Sequence, residues 1–92
     1  MFTKKSKYKV GTLLKDKYAV ERGEVHREQI MIVGCYSIVE HNTTHEGLVF
    51  ENEVKMYDLM YLGEGGRRAP QTEKWLETLI ENKKIEVMAI PN

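Results

Sequence analysis

Six residues, Gly63-Glu64-Gly65-Gly66-Arg67-Arg68, come nearest to chemistry in this chain. Glycines let successive backbone N–H groups converge on an anion, and the start of a following helix presents its positive end to one. Two arginines would add a bidentate grip on phosphate. The run departs from both phosphate-loop patterns, however. The closing Gly-Lys-Ser/Thr is absent, and Arg68 stands where the last glycine of G-x-G-x-x-G belongs. Glu64 in its middle repels an anion. The expectation is a turn whose glycines supply positive φ between a strand and a helix, leaving Arg67 and Arg68 to contact an acidic partner.

His41 and His45, beside Glu40 and Glu46, have the i, i+4 spacing that holds a metal on a helix. The intervening Asn42-Thr43-Thr44 reads as a turn, where that spacing guarantees no convergence. Cys35, between Gly34 and Tyr36, has no histidine near it in sequence to lower its pKa, so a buried, inert thiol is expected. Asp58, among apolar neighbours, is the one acid in an unusual setting; pairing across a sheet is the ordinary alternative. No serine elbow or carboxylate pair stands out. The expectation is a non-enzymatic protein with no metal and no cofactor.

Tyr36, Tyr57 and Tyr61 fall on strand segments and Trp75 on a helix. Exposed, Tyr57 and Tyr61 would form a contact surface with Glu53 and Asp58. Buried, they would be the core, since a small domain spends its large side chains inside.

These residues must be positioned by one small domain, residues 1–92, with 1–6 frayed. A hydrophobic fraction of 41% with zero net charge excludes a disordered composition. No apolar run approaches the roughly 20 residues of a membrane span, and Met1-Phe2-Thr3-Lys4-Lys5 has no apolar stretch behind its lysines. One cysteine permits no internal disulfide, so a cytoplasmic location without a membrane partner is expected.

The charges are segregated. Six lysines and one aspartate lie between Met1 and Lys17, whereas six acids and one lysine lie between Glu40 and Glu64. Such polarity can steer a partner or align two copies of the chain.

Tyr8–Leu14 reads as a first strand and Tyr18–Val20 as a weaker one. Gln29–Glu40, rich in β-branched residues on both faces, reads as a central strand covered on both sides. Gly34 inside it marks a bulge or a close backbone approach. Leu48–Phe50 and Val54–Leu62 form one long or two short strands that pair with it as a hairpin. Trp75, Leu76, Leu79 and Ile80 recur at helical spacing, which predicts a helix over 72–83 with Thr72 as its N-cap. Ile85, Val87 and Ala89 alternate as a last strand.

The predicted order is β-β-β-β-α-β, a mostly β (α+β) fold. A curled antiparallel SH3-like barrel closed by the helix fits it best, and a flatter antiparallel sheet is the alternative. The function expected is a protein-interaction module or modulator, in the style of phage and mobile-element accessory proteins, contacting its partner through Tyr57, Tyr61, Glu53 and Asp58 or through Arg67 and Arg68. The alternatives are a nucleic-acid-binding module using Lys4, Lys5, Lys7 and Lys9 with Arg67 and Arg68, and a small-molecule-binding oligomer. A homodimer is compatible with all three.

Overall fold

Asp16 decides where the first strand ends. Its carboxylate accepts a hydrogen bond from the Ala19 amide at 3.0 Å, which is N-cap geometry. Strand β1 (Leu13–Asp16) therefore turns directly into helix α1 (Lys17–Glu21). Tyr18-Ala19-Val20 is helical, not a strand, and Ala19 is fully buried. This computed structural model describes residues 6–91. Of the segment expected to fray, only Ser6 lies among them, and the Lys7 amide behind it is tied to the Glu73 carboxylate at 2.9 Å.

The remaining elements are β2 (Gln29–Thr43), β3 (Val49–Tyr61), β4 (Arg67–Thr72), α2 (Glu73–Glu81) and β5 (Ile85–Ala89), with single 3-10 turns at Val25–Arg27 and Leu62–Glu64. All strands join one antiparallel sheet in the order β4-β3-β2-β1-β5. The α+β class holds, but the sheet is not closed into a barrel. Among the described residues β4 and β5 each pair on one side only. Their connection is α2, which lays Leu76, Leu79 and Ile80 against the inner face, so a helix covers the core in place of the sheet's own return. No helix among the described residues is long and apolar enough to cross a membrane.

Three local features fix the long hairpin and the helix. The β2–β3 ladder gains one residue, Val33, between the pairs Ile32↔Leu59 and Gly34↔Asp58. This bulge lies beside Gly34, where a Cβ would stand 3.2 Å from Asp58 Cβ. At the far end of the hairpin the chain reverses tightly. The Leu48 amide donates to Thr44 Oγ1 at 3.1 Å, and Gly47 supplies φ +85°. Finally, Thr72 caps α2, its Oγ1 accepting from the Trp75 amide at 3.0 Å, as the sequence predicts.

Gly65 and Gly66 take positive φ, as expected of a turn. The chain leaves them as the six-residue strand β4, an element missing from the predicted order. Pro70 is tolerated there because β4 is an edge strand, where a lost donor breaks no second ladder.

The core lies between the inner face of the sheet and α2. Leu14, Ile30, Ile32, Tyr57, Leu59 and Ile85 of the strands enclose Leu76. The outer face has no second layer among the described residues, so β2 is covered on one side, not on both.

Candidate functional site

The β2–β3 hairpin outruns its neighbours. β1 pairs with β2 only at Gln29–Met31, and β4 pairs with β3 only at Met56–Tyr61. From Tyr36↔Met56, where β4 makes its last pair with β3, to Thr43↔Val49 the ladder projects as an arm that is two-stranded beyond Met56. It stretches the molecule to 48 Å against 31 and 25 Å on the other axes. The radius of gyration, 15.4 Å, exceeds the roughly 12 Å of a compact chain of this length.

Directly opposed residues of an antiparallel pair share a face. One face of the arm therefore carries Tyr36, Ile38, Val54, Met56 and Phe50. It continues the outer face of the sheet, where Met60 stands opposite Met31. The other face continues the core side but turns polar, with Ser37 donating to Glu53 at 3.0 Å and Lys55 ion-paired to Glu53 at 2.8 Å. Tyr36, Ile38, Val39, Leu48, Val49 and Phe50 are half of the large apolar side chains left exposed among the described residues, and all six lie on this arm. Phe50 is 50% exposed and Val49 66%. The arm is also acidic, with Glu40, Glu46, Glu51 and Glu53 against Lys55.

The bulge explains this arrangement. Strict alternation would align Tyr36 and Ile38 with the buried Ile30 and Ile32. The extra residue at Val33 changes the phase, so Cys35 falls on the core side and Tyr36 and Ile38 face outward.

The predicted contact residues are dispersed. Tyr57 is fully buried and Tyr61 is 6% exposed, so neither belongs to a contact surface on the sheet; both are core. The Tyr57 hydroxyl accepts from the Tyr8 amide at 3.0 Å and donates to the Glu73 carboxylate. Burial first, and then this bond to Glu73, hold it protonated well above the ordinary tyrosine range. Glu53 lies on the polar face of the arm, whereas Asp58 lies on the outer face, 3.7 Å from Arg68. Arg67 and Arg68 do not act together. Arg67 stands opposite Tyr61 on the inner side and reaches Glu64 at 3.6 Å, while Arg68 stands opposite Met60 on the outer side.

Glu64, which the sequence presents as an intruder in an anion loop, is the acid on which three basic side chains converge. His26 approaches it at 3.3 Å, Arg27 at 3.4 Å and Arg67 at 3.6 Å, and its side chain is only 16% exposed.

Of the lysines expected to hold nucleic acid, Lys4 and Lys5 lie outside the described residues. Lys7 pairs with Glu77 at 3.5 Å and Lys9 is exposed. Burial pushes the Cys35 thiol up, and its Sγ donates to the Tyr8 carbonyl at 3.4 Å. His41 stands opposite Glu51 across the arm, at 3.8 Å. Among the described residues no three His, Cys, Asp or Glu side chains converge as a metal site.

The sequence holds a signal for the arm, because Gln29–Glu40 and Leu48–Leu62 are longer than any other strand segment in the chain and must overrun their neighbours. No protein-family model, curated protein or solved structure matches the chain.

Proposed function

We propose that this chain is a non-enzymatic protein-interaction module that holds its partner with the β2–β3 arm. One observation carries the reading: the arm's outer face presents Tyr36, Ile38 and Phe50 to solvent with no second layer over them. A two-stranded ribbon is marginally stable alone in water, and contiguous exposed apolar side chains mark a surface that another molecule covers. The glutamates of the arm give the partner's chemistry. The occupant is an apolar protein surface bordered by lysine or arginine, with the charge setting approach and register.

In this reading the body is an SH3-like meander left open, with the helix between its last two strands. It serves to anchor the arm through Tyr57 and the Val33 bulge. The nucleic-acid alternative draws less support, because Lys7, Arg67 and Arg68 each face an acid already.

The test compares three baits: the wild type, a Tyr36→Ser/Phe50→Ser variant, and a Glu46→Lys/Glu51→Lys variant. The expected result is one stoichiometric protein, resistant to nuclease, retained by the wild type and lost from both variants. Equal retention by wild type and the serine variant overturns the reading. Sedimentation of the free protein is the second arm. A wild-type dimer that the serine variant turns into a monomer would make a second copy the occupant and overturn the heterologous partner.

A further inference from the structure

At the opposite end of β3 from the arm's tip, α1 and α2 leave a cleft of about 250 Å³. Tyr61, Trp75 and Leu79 provide its apolar lining, and Arg22, Arg27 and Lys84 its cations. The cations are held over aromatic rings. The Arg22 guanidinium lies 4.3 Å and the Lys84 ammonium 5.1 Å from the Tyr18 ring centre, and Arg27 lies 5.1 Å from that of Tyr61. Such contacts fix the position of a cation without neutralising it.

Three acids stand near these three cations and balance them in number, but those that pair with them sit on Arg22 and Arg27 and leave Lys84 without an acid partner among the described residues. Asp16 lines the cleft but is engaged by the Ala19 amide at the start of α1. Glu24 is shared, at 2.9 Å from Arg22 and 3.8 Å from Arg27. Glu64 faces Arg27. The Arg22–Glu24 pair is 39% exposed on both sides, and such a pair contributes about 0–1 kcal/mol, so an incoming anion exchanges with Glu24 at little cost.

We propose that this cleft binds a nucleoside monophosphate, free or as the terminal nucleotide of a single strand. The base lies against Trp75 and Leu79, and the phosphate sits on Arg22 and Lys84. A flat ring and a tetrahedral dianion in one small molecule use both halves of the lining. Arginine offers the fork that phosphate accepts, and indole the face on which any base stacks. The volume lies just below the roughly 300–1,000 Å³ of ligand pockets and leaves room for one nucleotide at most. The same cations disfavour a cationic ligand, which an aromatic cleft alone would admit. The site is separate from the arm and does not depend on what the arm holds.

Trp75 is the chain's single tryptophan, so its fluorescence reports occupancy directly. The protein is titrated with adenosine 5′-monophosphate and with adenosine, to about 1 mM, the weak limit of specific small-ligand affinity. The expected result is saturable quenching by the monophosphate and at least tenfold weaker quenching by the nucleoside. Arg22→Ala and Lys84→Ala, both at exposed positions, weaken the monophosphate at least fivefold while circular dichroism and Tm stay unchanged. A 5′-phosphorylated oligothymidine that binds ten times more tightly than the mononucleotide assigns the single strand; equal affinity assigns the free nucleotide. Quenching by adenosine equal to that by the monophosphate, or quenching intact in the Arg22→Ala/Lys84→Ala variant, overturns the site. So does the absence of both quenching and amide chemical-shift changes at Trp75 and Leu79.

Discussion

The Tyr57 hydroxyl, at the foot of the arm, donates to the carboxylate of Glu73 in the first turn of α2, and the same carboxylate accepts the Lys7 amide at 2.9 Å. With the Tyr8 amide on the hydroxyl oxygen, one phenol joins β3, α2 and the N-terminal segment. The charge-assisted bond makes it the polar centre of an otherwise apolar core.

Tyr57→Phe should destabilise the fold by about 1.5–3 kcal/mol, the range for a hydrogen bond to a charged group. The phenol's pKa is raised in the fold, by burial first and then by Glu73. Unfolded, it titrates near 10. Its contribution is therefore complete below about pH 10 and is lost as pH rises through the folded value. Urea denaturation of both proteins from pH 7 to about pH 11 checks this. The gap between them should be constant to about pH 9 and then narrow; a gap that widens contradicts the assignment.

Gly63 packs against the backbone of the Val25–Arg27 turn, where an added Cβ would stand 2.3 Å from the His26 carbonyl oxygen. Gly63→Ala must push two backbone segments apart, at a cost of about 1–3 kcal/mol. Gly65, at φ +69° in open space, meets no such atom, so Gly65→Ala carries only the roughly 1–2 kcal/mol of a left-handed conformation. Thermal melts should show the larger loss for Gly63→Ala, together with altered amide shifts at His26 and Arg27. Unaltered shifts there would show that the two turns are not in contact.

Glu64 gathers His26, Arg27 and Arg67, and its removal leaves the half-buried Arg27 without its nearest counter-charge. Glu64→Gln should cost roughly 1–3 kcal/mol, between the values of exposed and buried pairs. Arg67, 66% exposed, contributes less, and Arg67→Ala should stay within about 0.5 kcal/mol of the wild type. Equal losses for the two variants would remove Glu64 from the centre of the cluster.

Stability and binding should separate between core and arm. Leu76→Ala empties a fully buried site and should cost about 2–5 kcal/mol. Phe50→Ser acts on a half-exposed ring and should change stability by no more than about 0.5 kcal/mol. Partner retention should show the reverse order once Leu76→Ala is assayed well below its Tm. A Phe50→Ser protein that melts as early as Leu76→Ala would mean that the arm belongs to the folding core.

Much of the fold can be read from residue types. The Gln29–Glu40 and Leu48–Leu62 hairpin, the Thr72 cap, the helix after it and the Ile85–Ala89 strand come from alternation, helical spacing and turn chemistry, and the structure has them. Two features are not legible and a third is legible only in part, each for a physical reason. The Asp16 cap overrides the strand propensity of Tyr18 and Val20. β4 is polar and contains Pro70, because an edge strand needs neither a full set of donors nor two apolar faces. Gly34 marks the bulge in the sequence, but period-2 counting does not show that the inserted residue at Val33 turns Tyr36 and Ile38 outward. The cleft around Tyr18, Trp75, Arg22 and Lys84 escapes for another reason: its residues come from separate elements that only the fold brings together.

The pairing of β1 with β5, which sets Leu13 opposite Ala89, has a kinetic meaning. The hairpin closes over five residues, from Thr44 to Leu48, whereas Leu13 and Ala89 must find each other across nearly the whole chain. The difference in loop-closure entropy is about 2 kcal/mol, so the hairpin assembles early and the β1–β5 seam late. Until that seam closes β1 has an unpaired edge, while the arm is already formed. Under the proposed function, the surface that binds is thus complete before the fold around it is.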